Sequence, residues 1–400
     1  MPHSVASLAT SPNSLAKHYR RFHVQDRLLL TGHSHQAWPD RAERGQADAW
    51  ADAAMFVDDK WERAFERAER VRAGWGRLLG DDSGFVALAA NTHELLVRFL
   101  SALRLRERPR IVTTDGEFHS MRRQLERLEE EGVEVVRVPA SDADELVPRA
   151  IEALLSNPDR TAAVMVSSVL FLSSRIVPSL GALAEACERH GVPLVVDTYH
   201  QLNVVPMSLR DAGLERAYVV GGGYKYCQLG EGNGFLRFPA DCELRPVVTG
   251  WFSEFSMLDA EQGGARVGYG QGPDRFAGAT YDPTSHYRAS EVFDFFQREG
   301  LTVELLREVS QHQVGRLAAG FDALGLDPKV IRRDFAVPMA SLGGFLALTS
   351  PRAGEIRAEL RERGVMTDAR GDVLRFGPAP YLSDQQLDDA MAALGEVSRA

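Results

Sequence analysis

Between residues 110 and 240 the chain alternates short apolar runs with segments that mix apolar and polar residues. The apolar runs, such as TAAVMVSSV and VPLVVD, are almost free of charge, as expected for strands buried on both faces of a sheet. In the segments between them apolar residues recur every three or four positions, which is the period of an amphipathic helix. The predicted strands are 110–114, 133–139, 161–169, 192–197, 216–222 and 234–239, and the predicted helices are 119–132, 142–156 and 179–191. This alternation predicts an α/β fold in which helices sandwich a mostly parallel central sheet.

The pattern changes near residue 287, where helices predominate before shorter strands return. The elements predicted there are helices at 287–300 and 303–324, strands at 343–349 and 372–377, and a last helix from Ser383. We interpret residues 26–286 as a large domain and residues 287–400 as a smaller α+β domain. Residues 1–25 are interpreted as an arm associated with the smaller domain.

Composition and charge narrow the possible partners. The 400 residues carry a formal net charge of −10, which argues against nucleic acid and anionic membranes. No apolar run approaches the roughly 18 residues of a membrane-spanning helix. The three cysteines form no CxxC pair, so we expect neither a disulfide framework nor a zinc cluster, and no metal site. A cytoplasmic location is predicted, because thiols stay reduced there.

The stretch GGGYKYCQLGEGNG, residues 221–234, places Lys225 among glycines directly after an apolar strand. It is not a P-loop, because Tyr226 follows the lysine where Ser or Thr is required. It is not a dinucleotide motif either, because its glycines precede a strand and not a helix. A solvated loop lysine is the ordinary alternative. In a parallel α/β sheet, however, ligands bind beyond the carboxyl ends of strands, where an amine can bind a carbonyl compound covalently.

A second motif, VVDTYHQ at residues 195–201, ends another predicted strand with Asp197. Alone, this aspartate could simply cap a helix. Together with Lys225 it indicates pyridoxal phosphate (PLP), since a carboxylate keeps the ring nitrogen of that cofactor protonated and the ring able to accept electrons. His200, three residues further on, could bond the phenolic oxygen of the same ring.

Two weaker motifs precede these. Residues 90–103, ANTHELLVRFLSAL, predict a helix capped by Asn91 or Thr92, and the free N–H groups of such a helix bind phosphate. Any capped helix has this appearance, so the motif has little weight alone. Phe118 follows the strand at 110–114, where an aromatic ring could stack on a flat cofactor or could equally belong to the core.

Further motifs make the chain resemble a known family. They are YKY at 224–226, GWF at 250–252, RFGPAPY at 375–381 and TGHSHQAWP at 31–39. Over residues 25–385 the chain resembles the fold-type I PLP enzymes of the class V aminotransferase group, and within that group kynureninase. The resemblance implies a large PLP-binding domain, a smaller C-terminal α+β domain, an α-amino acid as substrate and a homodimer.

The resemblance also implies a role for each matching residue. Lys225 would hold the cofactor covalently and move the α-proton of the substrate, while Asp197 pairs with the ring nitrogen and His200 lies beside the ring. Arg375 would bind the substrate α-carboxylate through its planar guanidinium. The other residues implied at the cofactor are Asn91, Thr92, His93, Tyr224 and Trp251 around the phosphate, Phe118 stacked on the ring, Ser167, and Thr280 reaching over from the partner subunit. Those implied at the substrate, besides Arg375, are His33 and Ser34.

Several reactions remain open at this point. The resemblance implies hydrolysis of the Cβ–Cγ bond of kynurenine or a related substrate, whereas transamination and β-elimination on another amino acid would begin in the same way. The chain departs from kynureninase at Met121, Leu170 and Glu254. A catalytically inactive binding protein with the PLP fold is a further alternative. The most distant one is a metal-dependent amidohydrolase barrel, in which His33 and His35 would share a metal.

Overall fold

The computed structural model describes residues 3–257 and 266–399. The helices are α1 (Val5–Ala9), α2 (Arg41–Phe56), α3 (Lys60–Leu79), α4 (Thr92–Ser101), α5 (His119–Glu130), α6 (Ala143–Ser156), α7 (Leu180–Arg189), α8 (Thr284–Arg298), α9 (Val303–Ala323), α10 (Ala353–Glu362) and α11 (Asp384–Arg399). The strands are β1 (Leu28–Leu29), β2 (Val86–Ala89), β3 (Arg110–Thr114), β4 (Glu134–Val138), β5 (Thr161–Ser167), β6 (Leu194–Asp197), β7 (Tyr218–Gly222), β8 (Gly234–Arg237), β9 (Leu346–Thr349), β10 (Val365–Met366), β11 (Asp368–Arg370) and β12 (Val373–Phe376). Each element predicted between residues 110 and 240 is present, with ends that shift by a few residues.

Seven strands form the central sheet, in the order β2-β8-β7-β6-β5-β3-β4. The pairs from β7 through β4 are parallel, whereas β8 runs antiparallel to both of its neighbours, β2 and β7. The carboxyl ends of the parallel strands therefore meet at one edge, where Ser167 lies opposite Asp197 and Asp197 lies opposite Val220. The predicted α/β fold with a mostly parallel central sheet is confirmed.

Hydrophobic side chains cover both faces of this sheet. Strands β5, β6 and β7 are buried along their whole length, which explains why their sequences lack polar alternation. Neighbouring residues such as Val195 and Val196 belong to two different core clusters, because side chains alternate between the faces of a pleated sheet. Met121 belongs to the same cluster as Val195, and Leu170 to the cluster of Val196. Two of the three positions that depart from kynureninase are therefore core positions.

The ends of the chain pack against each other. Strand β1 pairs with β10 through Leu28 and Val365, and α1 contacts α9. Helices α2 and α3, which the sequence pattern does not predict, pack against α8. Strands β11, β12 and β9 form a small antiparallel sheet. The domain boundary at residue 287 remains a prediction. Within residues 3–257 and 266–399, the helices lack the combination of length and hydropathy that crossing a membrane requires.

Candidate active site

Lys225 lies in the turn that follows β7, at the carboxyl edge of the sheet, and its side chain is buried. Its Nζ lies 2.7 Å from Nε2 of His200 and 4.9 Å from the ring centroid of Phe118. Burial lowers the pKa of Lys225 to about 7, although the carboxylate of Asp197 opposes the shift. A large fraction of this amine is therefore uncharged near neutral pH, which is the state that attacks carbonyl compounds.

The rarity of lysine sharpens this observation. The sequence contains four lysines in 400 residues. Lys17 and Lys329 are exposed and Lys60 is half-buried. Lys225 is thus the one lysine of the chain that is withdrawn from solvent, which argues against the reading of a solvated loop lysine.

Asp197 is the last residue of β6 and is buried beside the lysine turn. Its Oδ1 accepts a hydrogen bond of 2.9 Å from the backbone N–H of Tyr199, so it closes a turn and does not cap a helix. Burial raises the pKa of Asp197, while the Tyr199 N–H and the charge of Lys225 oppose that shift. The structure therefore brings the carboxylate and the amine together at the ends of two neighbouring parallel strands.

His200 and Phe118 complete the surroundings of the amine. Burial and the charge of Lys225 lower the pKa of His200 well below its ordinary value, so its imidazole is neutral. Its Nδ1 is buried without a hydrogen-bond partner among the described residues. Phe118 precedes α5, is half-buried and meets Phe171 edge-on at 5.4 Å between ring centroids.

The amino end of α4 lies against the strands on either side of Lys225. Asn91 caps this helix by accepting a backbone N–H at 3.0 Å, and the Thr92 hydroxyl donates to the carbonyl oxygen of Gly221 at 2.9 Å. A Cβ on Gly234 would lie 2.5 Å from the carbonyl carbon of Asn91, so only glycine lets β8 pass this closely. His93 is exposed. The first N–H groups of the helix have no partner inside it and can meet an anion at this corner.

The ring of Tyr199 packs against the side chain of Lys225. Its ring centroid lies 4.6 Å from Nζ of Lys225 and 4.9 Å from the ring of Tyr224. A Cβ on Gly222 would lie 2.5 Å from the Tyr199 hydroxyl. At least one glycine of the lysine stretch is thus explained by a side chain of the protein itself.

The segment of residues 31–39 lies against the same loop. Tyr224 is half-buried and stacks on His35, with ring centroids 4.7 Å apart and an interplanar angle of 17°. The Gln36 backbone N–H donates to the carbonyl oxygen of Tyr224 at 3.3 Å. Ser34, also half-buried, has its Oγ 3.2 Å from Nδ1 of His35.

Arg375 belongs to a buried ion cluster on the β11–β12 hairpin. It lies opposite Asp368 in register, and its Nη2 donates to that carboxylate while its Nη1 donates to the carbonyl oxygen of Phe171 at 2.6 Å. Arg370 donates to the same carboxylate at 2.9 Å, and Nε2 of His33 lies 3.7 Å from it. Burial alone would raise the pKa of Asp368, but these three partners hold it well below its usual range. The predicted carboxylate-binding arginine is therefore already paired within the chain.

Trp251 and Thr280 lie together on the surface. The indole Nε1 of Trp251 donates to Oγ1 of Thr280 at 3.2 Å, and both residues are exposed. Among the described residues, neither has a hydrogen bond or ring contact with Lys225, Asp197 or Thr92. The place of Trp251 and Thr280 at the cofactor stays a prediction.

Three residues of this site are missed by the sequence pattern. Glu117 and Tyr199 stand inside the motifs that contain Phe118 and His200, so their position just beyond a strand end was the available signal. Ser167, which the resemblance implies at the cofactor, donates its backbone N–H and its hydroxyl to the carboxyl group of Glu117. Asp368 carries no signal by itself, since its meaning depends on the hairpin pairing with Arg375.

The metal-dependent alternative is wrong. His33 is buried against Phe345, with ring centroids 4.7 Å apart, whereas His35 is exposed and stacks on Tyr224. The two imidazoles therefore have different surroundings. The central sheet is open, with β2 and β4 at its edges, and it does not form the closed barrel of an amidohydrolase.

Known proteins resemble this chain along most of its length. Residues 336–394, which include Asp368 and Arg375, match the family model of the kynureninase C-terminal domain. An uncharacterized aminotransferase, YcbU of Bacillus subtilis, is 23% identical over 94% of this chain and 96% of its own length. The kynureninase of Geobacillus thermodenitrificans is 23% identical over 92% of this chain and 88% of its own length. The chain is therefore similar to kynureninase and to other class V PLP enzymes.

Further similar proteins are named for other reactions. Isopenicillin N epimerase of Streptomyces clavuligerus is 28% identical over 81% of this chain and 84% of its own length. A mutant of C-DES that has glycine covalently linked to its PLP cofactor superposes with a TM-score of 0.82 at 17% identity, over 95% of this chain and 98% of that chain. The fold is that of the fold-type I enzymes, and C-DES carries PLP on this fold.

The residues at the sheet edge fit this cofactor. A buried amine with a lowered pKa can bind an aldehyde, and a buried carboxylate beside it suits a pyridine nitrogen. The unpartnered Nδ1 of His200 and the free amino end of α4 are polar groups that the folded chain leaves without partners. PLP has an aldehyde, a ring nitrogen and a phosphate, and so matches this set of groups.

Proposed function

We propose that this enzyme hydrolyses the Cβ–Cγ bond of an amino acid that has a carbonyl group at Cγ, with kynurenine as the reference substrate. Water supplies a hydroxyl group to Cγ and a proton to Cβ, so the products are a carboxylic acid and alanine. The match of residues 336–394 to the kynureninase C-terminal domain carries the proposal, because that segment contains the hairpin with Arg375 and Asp368.

Lys225 is proposed to hold PLP and to take the proton from Cα of the substrate. PLP, when bound, supplies an electron-accepting ring that stabilises negative charge at Cα. A lysine pKa of about 7 suits a general base that works near neutral pH. The neutral imidazole of His200, 2.7 Å from Nζ, can accept a hydrogen bond from the protonated amine and so hold it in place.

The substrate is proposed to bind between the lysine loop and the β11–β12 hairpin. Nε of Arg375, the hydroxyl of Tyr226 and both ring nitrogens of His33 are buried and have no hydrogen-bond partner among the described residues. Buried polar atoms are normally paired, so these atoms are suited to the carboxylate and carbonyl of a substrate. Arg375 would offer its Nε edge to the carboxylate while Asp368 keeps hold of Nη2.

The first experiment tests the cofactor site without any substrate. Purified protein should show a visible PLP absorption band, and borohydride should bleach this band and fix the cofactor to Lys225 in a peptide map. Lys329, which is exposed, is the matched control and should remain unmodified. A cofactor fixed elsewhere would remove the proposed role of Lys225.

The second experiment tests the reaction. L-kynurenine and 3-hydroxykynurenine are incubated with the holoenzyme, and alanine release is measured together with keto acid, ammonia and the D-amino acid. Alanine with the matching aromatic acid supports hydrolysis. Keto acid from an amino-group transfer, or ammonia from β-elimination, would instead favour the aminotransferase or β-lyase alternative, consistent with a curated relative described as an aminotransferase.

A homodimer is proposed as the working assembly. Trp50 and Met55 in the second half of α2, and Val57 just after it, are 80%, 73% and 69% exposed. Trp61 follows in α3 and is half-buried, and its ring lies 5.8 Å from that of the buried Phe252. Phe252 lies 4.3 Å from Trp251, the residue bonded to Thr280. Exposed apolar surface of this kind marks an interface, and a second copy would bring Thr280 to a partner's cofactor as the family resemblance implies.

The dimer has a direct test. Trp50→Glu should shift the protein from dimer to monomer in light scattering, while Trp50→Phe should not. A wild-type protein that is monomeric and fully active would exclude the dimer.

We also propose a cytoplasmic location, supported by the three free and buried cysteines.

A further inference from the structure

Glu117 is a buried carboxyl group at the edge of the sheet, next to Phe118, for which the proposed reaction has no role. It receives three hydrogen bonds. Its Oε1 accepts the Thr114 hydroxyl at 2.7 Å and the Ser167 backbone N–H at 3.1 Å, and its Oε2 accepts the Ser167 hydroxyl at 2.5 Å. Residues of two neighbouring strands, β3 and β5, thus bind one carboxyl group that solvent does not reach.

The strand register relates this carboxyl group to Asp197. Ser167 is the last residue of β5 and lies opposite Asp197 of β6. Glu117 accepts hydrogen bonds from the backbone N–H and the hydroxyl of Ser167. Because β5 lies between β3 and β6, Glu117 is on the β3 side of Ser167 and Asp197 is on the β6 side. Burial raises the pKa of Glu117 to about 7, the hydrogen bonds of Ser167 and Thr114 oppose that rise, and the charge of Asp197 adds to it. The charge of Asp197 therefore acts on the carboxyl group of Glu117.

We propose that Glu117 is a positioning residue that supplies a second negative charge behind Asp197 and thereby raises the proton affinity of the PLP ring nitrogen. The Ser167 backbone N–H can only donate and so favours the carboxylate, and above a pH of about 7 Glu117 is mainly ionised. With two carboxylates nearby, a protonated ring nitrogen is favoured more strongly than with Asp197 alone. The inference rests on the proposed place of Asp197 at that nitrogen.

Other charges around Glu117 are accounted for. Asp197 faces it from β6, and Lys225 faces Asp197 from the lysine loop. Asp115 and His119, on either side of Glu117 in its own loop, are exposed. Asp115 uses its Oδ1 to accept the Ala140 backbone N–H at 2.8 Å and therefore stands outside the carboxyl pair.

The test measures ring-nitrogen protonation in holoenzyme reconstituted with PLP that carries an isotopic label at that nitrogen. Glu117→Gln keeps the shape and the hydrogen-bonding oxygen but removes the charge. The nuclear magnetic resonance shift of the label, followed against pH, should report a proton affinity lowered about tenfold, as expected for one carboxylate at moderate distance and an effective dielectric constant near 20. Asp115→Asn removes a nearby exposed charge and is the matched control, expected to leave the titration unchanged.

A second variant protects the test against a folding failure. Ser167→Ala removes one donor, which should weaken the ionised form of Glu117 and shift the ring-nitrogen titration in the same direction by a smaller amount. An unchanged titration in both variants would overturn the inference. Because this readout needs no substrate, it stays informative if kynurenine is not turned over. If the wild-type label shows no protonated nitrogen at all, the proposed role of Asp197 fails instead.

Discussion

The site has a lysine half, with Lys225 and Asp197, and an arginine half, with Arg375 and Asp368. The two halves differ in how far their buried charges are paired. In the lysine half, burial lowers the pKa of Lys225 and raises that of Asp197, because neither group is fully compensated. In the arginine half, Arg375 and Asp368 are paired directly and the carboxyl pKa is depressed. Incomplete pairing leaves Lys225 and Asp197 close to a change of protonation, which suits proton transfer, whereas the direct pair of Arg375 with Asp368 fixes geometry, which suits recognition.

Removal of the lysine should have the largest effect. Lys225→Ala should abolish covalent attachment of PLP and lower kcat by about a hundredfold to ten-thousandfold, the range expected for loss of a general base. The measurement is turnover together with borohydride fixation. Lys329→Ala, at an exposed lysine, should retain both. Turnover preserved in Lys225→Ala would show that Lys225 is not the general base of the reaction.

Removal of the arginine should harm binding more than chemistry. Arg375→Ala should weaken amino-acid binding by about 2–5 kcal/mol, the cost of leaving one partner of a buried pair alone, with PLP still attached. The affinity is measured by spectral titration. Arg370→Ala is the control, because Arg370 is partly exposed and its loss leaves the Arg375–Asp368 pair intact. Equal losses in both variants would argue that the cluster acts only through its total charge.

The smallest effect concerns the pH dependence of stability without cofactor. The pKa of Lys225 falls from its ordinary 10.5 to about 7 on folding. The unfolded chain binds more protons between these values, so the folded state gains stability as pH rises through this range. Lys225→Met removes the group and should be more stable than wild type at pH 7.

The gap in free energy of unfolding between Lys225→Met and wild type should shrink as the pH rises. From about pH 7 to about pH 8.5 the change should be on the order of 1–2 kcal/mol. Chemical denaturation at each pH measures it. Burial raises the pKa of Cys187, Cys227 and Cys242, which opposes the trend at higher pH, but equally in both proteins. A gap that does not change with pH would mean that Lys225 is charged in the folded protein.

The same contrast explains what the sequence could predict. Asp197 and Lys225 follow uninterrupted apolar runs, and the carboxyl ends of parallel strands meet at one edge whatever the details of packing. Arg375 could be assigned by resemblance, yet its partner Asp368 becomes apparent only once the short strand β11, which the sequence pattern did not predict, is paired with β12 through the turn at Gly371. Met121 is a case in which the sequence suggested a functional difference and the structure shows a core position. It marks a departure from kynureninase in sequence, but it is 1% exposed in the core and does not by itself decide the substrate.

Strand β8 has a consequence for the order in which the chain can fold. The edge strand β2 joins the sheet by pairing with β8, which lies far downstream in the sequence. Contacts between distant segments form late, because closing a long loop costs entropy before the contact stabilises anything. During synthesis, the amino end of α4 would therefore lack its contact between Asn91 and Gly234 until β8 has been made. The anion-binding site at this helix end would be incomplete until then. A nascent chain that ends before β8 should be unable to bind the cofactor, even though it already contains Lys225.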